Sequence, residues 1–107
     1  MWYNVSGRLG IPWIALTFEW DEAKARENLR KHKISFEEAE TVFDDPLAIT
    51  IPDPEHSKSE RRFIDLGQSE TGKIIVVTYA QRARATRIIG ARRATRAERQ
   101  KYEEENQ

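Results

Sequence analysis

The segment KIIVVTYA, Lys73 to Ala80, constrains the fold of this chain more than any other stretch. Its four consecutive apolar residues, Ile74 to Val77, place hydrophobic side chains on both faces of an extended strand. Such a strand has to be covered on both sides, which is typical of the centre of a sheet. A chain of 107 residues is long enough for one core, so we predict a single domain over residues 1–107.

Two short helices are predicted before this strand. Asp21 is a suitable N-cap for EAKARENLRKH, a run of good helix formers. Ser35 and Glu38 have the S-x-x-E spacing of a capping box, at the start of a second helix. Asp45 followed by Pro46 ends that helix, because a proline disfavours helical backbone in the residue before it.

The rest of the chain has the two-residue period of strands and then returns to a helical pattern. Short turns between successive strands favour an antiparallel meander with helices packed on it. We therefore predict an α+β fold with two N-terminal helices, an antiparallel sheet of about four strands and a C-terminal helix. Whether a further short strand forms around WIALTFEW is left open. The predicted strands are Leu47–Ile51, Arg61–Gly67, Lys73–Ala80 and Ala85–Ala91, and the last helix starts with a second capping box, Thr95 and Glu98.

Composition excludes several classes of protein. The chain has no cysteine, so disulfides and thiolate metal sites are excluded. Two histidines are too few for a histidine-based metal cage, and we expect neither a metal nor a cofactor. No apolar run approaches the roughly 20 residues that span a bilayer. The predicted location is the cytoplasm, without a membrane partner.

The charges are segregated along the chain although the formal net charge is zero. Residues 17–60 contain twelve acidic and six basic side chains. From Arg82 to Lys101 there are eight cationic side chains and one acid, Glu98. Arginine binds phosphate bidentately, so nucleic acid is the first partner to consider for the basic segment. Charge alone does not distinguish RNA from DNA or from an acidic protein.

The arginines of the predicted fourth strand are candidates for an anion site. In a regular strand Arg84 and Arg92 share one face, and Arg87 and Arg93 share the other. A solvated or ion-paired strand is the better explanation of any one of them, whereas several arginines that converge favour anion binding. We expect Arg92 to be the most critical, because it precedes a helix N-terminus, where phosphates are attracted.

A polar loop, PDPEHSKSERR, contains a second candidate constellation. Glu55, His56 and Arg62 provide the mixture that acid–base cleavage of a phosphodiester requires, namely groups that exchange protons and a cation for the developing charge. The structural alternative is an ordinary surface loop of turn-forming residues.

Three residues elsewhere are weaker candidates. Lys31 and His32 end the first helix and can contact phosphates, although the helix dipole alone explains a histidine at that position. Tyr79 ends the central strand, where it can contact a phosphate or stack on a base. The structural alternative for Tyr79 is an aromatic side chain at the edge of the core.

Several ordered motifs closely resemble one known family. They are FEWDEAKARENLRKH, SFEEAETVFDDP, DPEHS and ARRATRAERQKYE, within a likeness that runs from Phe18 to Glu104. They resemble the BrnT toxins, the ribonuclease half of bacterial BrnT–BrnA toxin–antitoxin modules. Lys33 stands where the family pattern has glycine. Residues 1–17 have no counterpart, and an N-terminal extension and a misassigned start are both open interpretations.

The resemblance implies a RelE-like α+β fold and RNA cleavage that inhibits translation. It also implies a DNA-binding BrnA-type antitoxin that neutralises the toxin, binds operator DNA for both proteins, and forms a toxin–antitoxin heterotetramer.

Our hypothesis is a metal-independent endoribonuclease toxin. The alternatives are a non-catalytic basic binding module and an inactive toxin that acts only as a corepressor. The candidate catalytic residues are His56, Arg62 and Arg92, supported by Glu55 and Tyr79, and the candidate RNA-binding residues are Lys31, His32, Arg84, Arg87 and Arg93.

Overall fold

The computed structural model of the protein describes residues 17–53, 60–83 and 85–107. These ranges contain three α-helices, one 3-10 turn and five strands, which confirms the α+β class. The elements are β1 (Thr17–Glu19), α1 (Glu22–His32), α2 (Phe36–Glu40), the 3-10 turn (Thr41–Asp44), β2 (Ile49–Pro52), β3 (Arg61–Gln68), β4 (Ile74–Gln81), β5 (Ala85–Arg93) and α3 (Arg96–Glu105).

The strands form one sheet in the order β1-β5-β4-β3-β2. β2, β3, β4 and β5 form the predicted antiparallel meander. β1 lies within the WIALTFEW segment and pairs in parallel with the start of β5. The sheet is therefore mixed and five-stranded, rather than antiparallel with about four strands.

β4 is the central strand, as its apolar sequence predicts. Ile75 and Val77 are buried on one face of the sheet and Val76 on the other. The first face, here called the helix face, packs against α2 and the 3-10 turn through Phe36, Val42 and other apolar side chains. The opposite face is only partly covered, by α3. We call it the open face, and it carries the side chains of Arg62, Ile64, Val76, Thr78, Ala80, Arg87 and Arg92.

Two of the predicted helix caps are present in full. The Asp21 side chain accepts a hydrogen bond from the Lys24 amide at 3.0 Å, which begins α1. Thr95 and Glu98 form a reciprocal capping box at the start of α3.

The Glu38 carboxylate contacts another part of the chain. Ser35 accepts from the Glu38 amide, as predicted. The carboxylate, however, accepts hydrogen bonds from the hydroxyls of Ser69 and Thr71, at 2.6 and 2.5 Å, and lies 3.5 Å from the Lys73 ammonium. Burial raises the pKa of Glu38, but these hydrogen bonds and the lysine charge outweigh it and lower the pKa. Glu38 therefore fastens α2 to the turn between β3 and β4.

Asn28 joins α1 to the exposed edge of β5. β1 covers this edge only as far as Arg87. Further along, the Asn28 amide donates to the Ala91 carbonyl at 2.8 Å and accepts from the Ala91 amide at 3.1 Å, as a neighbouring strand would. Asn28 also donates to the Ile34 carbonyl at 2.9 Å. Because Asn28 is buried and these bonds satisfy its amide, it sets the position of α1 on the sheet.

The corner between α1 and α2 is closed by Lys33 in the left-handed conformation, with φ 61°. Its amide donates to the Leu29 carbonyl at 2.9 Å, the usual bond at a helix C-terminus. Lysine here takes the conformation that glycine adopts most easily, so the corner does not depend on the glycine of the family pattern.

Gly67 in β3 lies where three segments meet. A Cβ atom at this position would approach Ala48 Cβ and Val42 Cγ1 to 2.9 Å, and Asp45 Oδ2 to 3.2 Å. Real Cβ atoms do not make contacts below 3.0 Å, so the 3-10 turn and the start of β2 depend on glycine for their close approach to β3.

We expect Gly67→Ala to lower the free energy of unfolding by roughly 1–3 kcal/mol, because the extra methyl overpacks this contact. Gly90→Ala is the matched control, because among the described residues a Cβ there would meet only Asn28 Oδ1, at 3.9 Å. Urea denaturation of both variants measures the difference. Equal stability of the two variants would contradict the role of Gly67.

Candidate functional site

A β-bulge in β5 determines which arginines share a face. Tyr79 of β4 pairs with Ile88, but the preceding residue Thr78 pairs with Gly90. Ile89 is therefore an extra residue without a partner on β4, which is the definition of a bulge. The alternation of side chains changes phase at this point.

The predicted distribution of arginines over the two faces of β5 is wrong because of this bulge. Arg87 lies opposite Ala80 and Arg92 lies opposite Val76, two positions on the same face of β4. Arg87 and Arg92 therefore both lie on the open face, and Arg93 lies on the helix face. A regular strand would have placed Arg87 and Arg92 on opposite faces.

Arg62 of β3 also belongs to the open face, because it lies opposite Ala80 from the other side. Arg62 and Arg87 thus flank Ala80, with their backbones separated by two strand spacings, about 10 Å. Arg92 lies four residues further along the sheet, about 13 Å away at the strand rise per residue. The structure brings these three predicted arginines together on one surface.

Acidic side chains partly neutralise the end of this surface near the β4–β5 turn. Arg62 lies 3.2 Å from Glu60, and Arg82 lies 3.6 Å from Glu60 and 3.5 Å from Glu19. Within the described ranges Arg87 is half-buried and makes no ion pair within 4 Å. Arg87 is therefore the strongest candidate at this end for an anionic ligand.

At the other end Arg92 forms a bidentate ion pair with Glu98. Arg92 Nη1 and Nη2 donate to the two carboxylate oxygens at 2.9 and 3.0 Å. The Thr95 amide donates to the same carboxylate at 2.8 Å. The hydrogen bonds from Arg92 lower the pKa of Glu98 to about 2, although burial opposes the shift. The N-terminus of α3, which we expected to attract a phosphate, already holds this carboxylate.

A groove of about 280 Å³ crosses the open face from α1 to β2. Its floor is mostly aliphatic, and its walls carry an imidazole, a guanidinium and a carboxylate. From α1 to β2 the side chains that define it are His32, Arg92, Glu98, Thr78, Val76, Ile64 and Ile51. Such a groove can receive part of an extended chain whose phosphates lie near the arginines.

His32 also lines a second hollow, of about 210 Å³, between α1 and the bulge of β5. Lys24 and Lys31 lie there, with Ile89 of the bulge. His32 thus lines both hollows and Lys31 only the second, and phosphate contacts by the two side chains remain a prediction. His32 is one turn beyond Asn28 on α1, so the Asn28 anchor holds it beside β5.

Tyr79 lies in the core and not on the open face. It is only 4% exposed, and its hydroxyl donates to the buried carboxylate of Asp65 at 2.9 Å. Its ring packs edge-on against Phe43 and stacks on Phe63. Tyr79 is therefore an aromatic residue of the core, as the structural alternative has it. We do not retain Tyr79 among the residues that contact a ligand.

Glu55, His56 and Arg84 lie outside the described residues, so their roles remain predictions. Four other cations of the basic segment lie away from the groove. Arg93 is exposed on the far side of β5, and the exposed side chains of Arg96, Arg99 and Lys101 extend from α3. The eight cations that follow one another in sequence therefore do not converge on one site.

Two residues of this surface were not identified as site residues from the sequence. Glu98 was interpreted only as a helix cap, although its position as the single acid among eight cations was a signal for an ion pair. Asn28 carries no signal in the sequence, because its role depends on the distant edge of β5.

Residues 17–53, 60–83 and 85–107 contain no group of three or more His, Cys, Asp or Glu side chains that could hold a metal ion. None of the helices in these ranges has the length and hydrophobicity that crossing a membrane requires.

Fold and surface together define a class: a small α+β protein whose sheet is covered by α2 on one face and carries, on the other, α3 and a groove near arginines. Residues 20–98 match the family described as "Ribonuclease toxin, BrnT, of type II toxin-antitoxin system". The chain therefore belongs to the BrnT family of ribonuclease toxins.

A solved structure agrees with this assignment. The chain is similar to the crystal structure of the Brucella abortus ribonuclease toxin BrnT, with 25% sequence identity and a TM-score of 0.61. The match covers 77% of this chain and 100% of the Brucella chain. Among curated proteins, none matches this sequence.

The lowered pKa of Glu98 predicts acid sensitivity. The folded state holds this carboxylate ionised below its ordinary pKa of 4.5, so the stabilisation is complete above pH 4.5 and is lost as the pH falls towards 2. We expect wild type to lose on the order of 1 kcal/mol more than Glu98→Gln over this interval, since both partners are partly exposed and screened by solvent. Urea titrations at several pH values measure the free energy of unfolding of both proteins. Parallel curves for the two proteins would contradict this prediction.

Proposed function

We propose that this protein is an endoribonuclease toxin that cleaves RNA without a metal ion. The observation that carries the proposal is that Arg62, Arg87 and Arg92 share the open face of the sheet, next to a groove. Membership of the BrnT family supports it. The proposed RelE-like relationship rests on family resemblance alone.

In the proposed reaction the 2′-hydroxyl oxygen of RNA attacks the adjacent phosphorus in line. The bond to the 5′-oxygen breaks, and the products are a 2′,3′-cyclic phosphate and a 5′-hydroxyl. Arginines stabilise the negative charge that accumulates on the phosphorane, which is the main contribution that a fixed cation makes to this chemistry. We assign this role to Arg92, because its guanidinium lies in the wall of the groove.

Arg62 and Arg87 are assigned to flanking phosphates, because they form a row about 13 Å from Arg92. Lys31 and His32 would continue the phosphate path at the α1 end of the groove. Glu55 and His56 remain proposed proton-transfer residues, and Arg84 and Arg93 remain proposed backbone contacts.

The biological context is proposed on the basis of the family. The toxin would inhibit translation in the cytoplasm by cleaving RNA. A BrnA-type antitoxin would neutralise it, join it in a heterotetramer and bind operator DNA on behalf of both proteins.

One observation favours a second function, an inactive toxin that only corepresses with its antitoxin. Arg62, Arg82 and Arg92 all lie within 4 Å of a carboxylate, which reduces the attraction of the open face for RNA. Growth arrest on expression of the chain distinguishes the two functions. Arrest supports the active toxin, and normal growth without antitoxin supports the corepressor or a simple binding module.

We expect cleavage of single-stranded RNA by purified protein to continue in EDTA. The arginines supply the positive charge that a metal would otherwise provide. Product analysis should show a cyclic phosphate, as a 2′-hydroxyl attack requires. Loss of cleavage in EDTA, with recovery on addition of a divalent ion, would refute the metal-independent mechanism.

Arg92→Ala should lower the single-turnover rate at saturating RNA far more than it lowers affinity, by roughly 100-fold, because the contact acts on the transition state. Arg87→Ala should mainly weaken binding and flatten its salt dependence by about one phosphate contact. The test is single-turnover cleavage by both variants at several salt concentrations. A normal saturated rate in Arg92→Ala would remove Arg92 from the catalytic residues.

The antitoxin should cover the open face, at least in part, with acidic or apolar segments, because blocking the RNA site is the simplest neutralisation. A crystal structure of the complex tests this. Solvent exposure of Arg62, Arg87 and Arg92 together in that complex would contradict it.

A further inference from the structure

Glu98 is the only acid between Arg82 and Lys101, and its carboxylate contacts Arg92, the one arginine among the described residues that line the groove. We propose that Glu98 is a positioning residue, which holds the Arg92 guanidinium in the orientation that contacts the reacting phosphate. This inference rests on the proposed ribonuclease function. It adds Glu98, which acts on the reaction through Arg92.

The geometry of the guanidinium supports this role. Arginine has five N–H donors, arranged as an end-on pair of nitrogens, Nη1 and Nη2, and a side-on pair, Nε and Nη2. The end-on pair donates to the two oxygens of Glu98. Nη1 also donates to the Arg93 carbonyl at 3.3 Å.

Among the described residues, the Nε–H and the second Nη2–H of Arg92 therefore have no acceptor. These two donors form the side-on fork, which matches two oxygens of one phosphate. The structure thus leaves Arg92 able to bind a phosphate bidentately without breaking its pair with Glu98.

The carboxylate is held independently of Arg92, which makes Glu98 the anchor of the pair. The Thr95 amide donates to Glu98 Oε1 at 2.8 Å, and the Thr95 hydroxyl caps the Glu98 amide at 3.2 Å. α3 itself is fastened to the sheet, because the Tyr102 hydroxyl donates to Asp45 Oδ2 at 2.7 Å. A phosphate that displaced Glu98 would have to break the helix cap.

A fixed guanidinium affects rate more than affinity. Orientation of a catalytic group lowers the barrier when the geometry of the transition state is satisfied in advance, and a displacement of about 1 Å can cost on the order of 100-fold in rate. The negative charge of Glu98, by contrast, slightly opposes the binding of RNA. Removal of Glu98 should therefore lower turnover without weakening the binding of RNA.

The test is single-turnover cleavage by Glu98→Ala, Arg92→Ala and the double variant. We expect Glu98→Ala to cleave about 10- to 100-fold more slowly at saturation, with the half-saturating RNA concentration changed by less than about threefold. In the Arg92→Ala background, Glu98→Ala should have no further effect, because it acts through that side chain. Glu98→Gln keeps one oxygen acceptor for Arg92 and should lie between Glu98→Ala and wild type.

Thr95→Ala is the matched control for helix capping. It removes the hydroxyl that caps α3 but keeps the backbone amide that holds Glu98. We expect Thr95→Ala to lower thermal stability about as much as Glu98→Ala does and to cleave within about twofold of wild type. Equal slowing by Thr95→Ala and Glu98→Ala would overturn the proposal, because helix capping would then explain the effect.

NMR relaxation of the Arg92 Nε–Hε group tests the placement without cleavage. We expect a restrained signal in wild type and Thr95→Ala, and a mobile one in Glu98→Ala. If wild type cleaves no RNA but this pattern is found, the ribonuclease function fails and the positioning of Arg92 stands. A mobile Arg92 in wild type, a normal rate in Glu98→Ala, or slowing by Glu98→Ala that persists without Arg92 would each overturn the proposal.

Discussion

The arrangement of the open face depends on the hydrogen bonds that the side-chain amide of Asn28 makes. It hydrogen-bonds to both backbone groups of Ala91, at a point where β1 no longer covers β5, and to Ile34 at the corner before α2. One buried amide thus attaches α1, the corner and the edge of the sheet to each other. Because an unsatisfied buried amide is costly, alternative positions of α1 are disfavoured. The place of His32, one turn along α1 and in the same groove as Arg92, follows from it.

Two of the three arginines on the open face, Arg62 and Arg92, are held by acids, whereas Arg87 makes no ion pair within the described ranges. Glu60 lies within 4 Å of both Arg62 and Arg82, and Glu98 binds Arg92 with both oxygens. Such pairs add little stability at a solvent-exposed surface. They do restrict long side chains whose rotamer freedom would otherwise be lost on contact with a ligand. A surface of this kind favours accurate placement of a phosphate over strong general attraction to polyanions.

Local signals in the sequence predicted the elements of the fold well, whereas the composition of the site was predicted only in part. Capping residues such as Asp21 and Thr95 act over three or four positions, so their geometry follows from spacing alone. The two faces of β5 do not follow from spacing, because the unpaired Ile89 shifts the alternation of side chains. Such a bulge depends on pairing with β4. The sequence left two roles open for Tyr79, a ligand contact and an aromatic side chain at the edge of the core, and packing against Phe43 and Phe63 decides for the core.

The sequence by itself determined the α+β class, the central position of β4, the helix starts and the concentration of cations near the C-terminus, since each follows from the order and period of neighbouring residues. Its family motifs indicated a ribonuclease toxin. Only the tertiary structure decided that the sheet is mixed, that Arg62, Arg87 and Arg92 share a face, and which acids pair with them. Those relations join residues far apart in the chain, and their energies depend on distances that exist only after β5 has paired with β4 and α1 has docked on its edge.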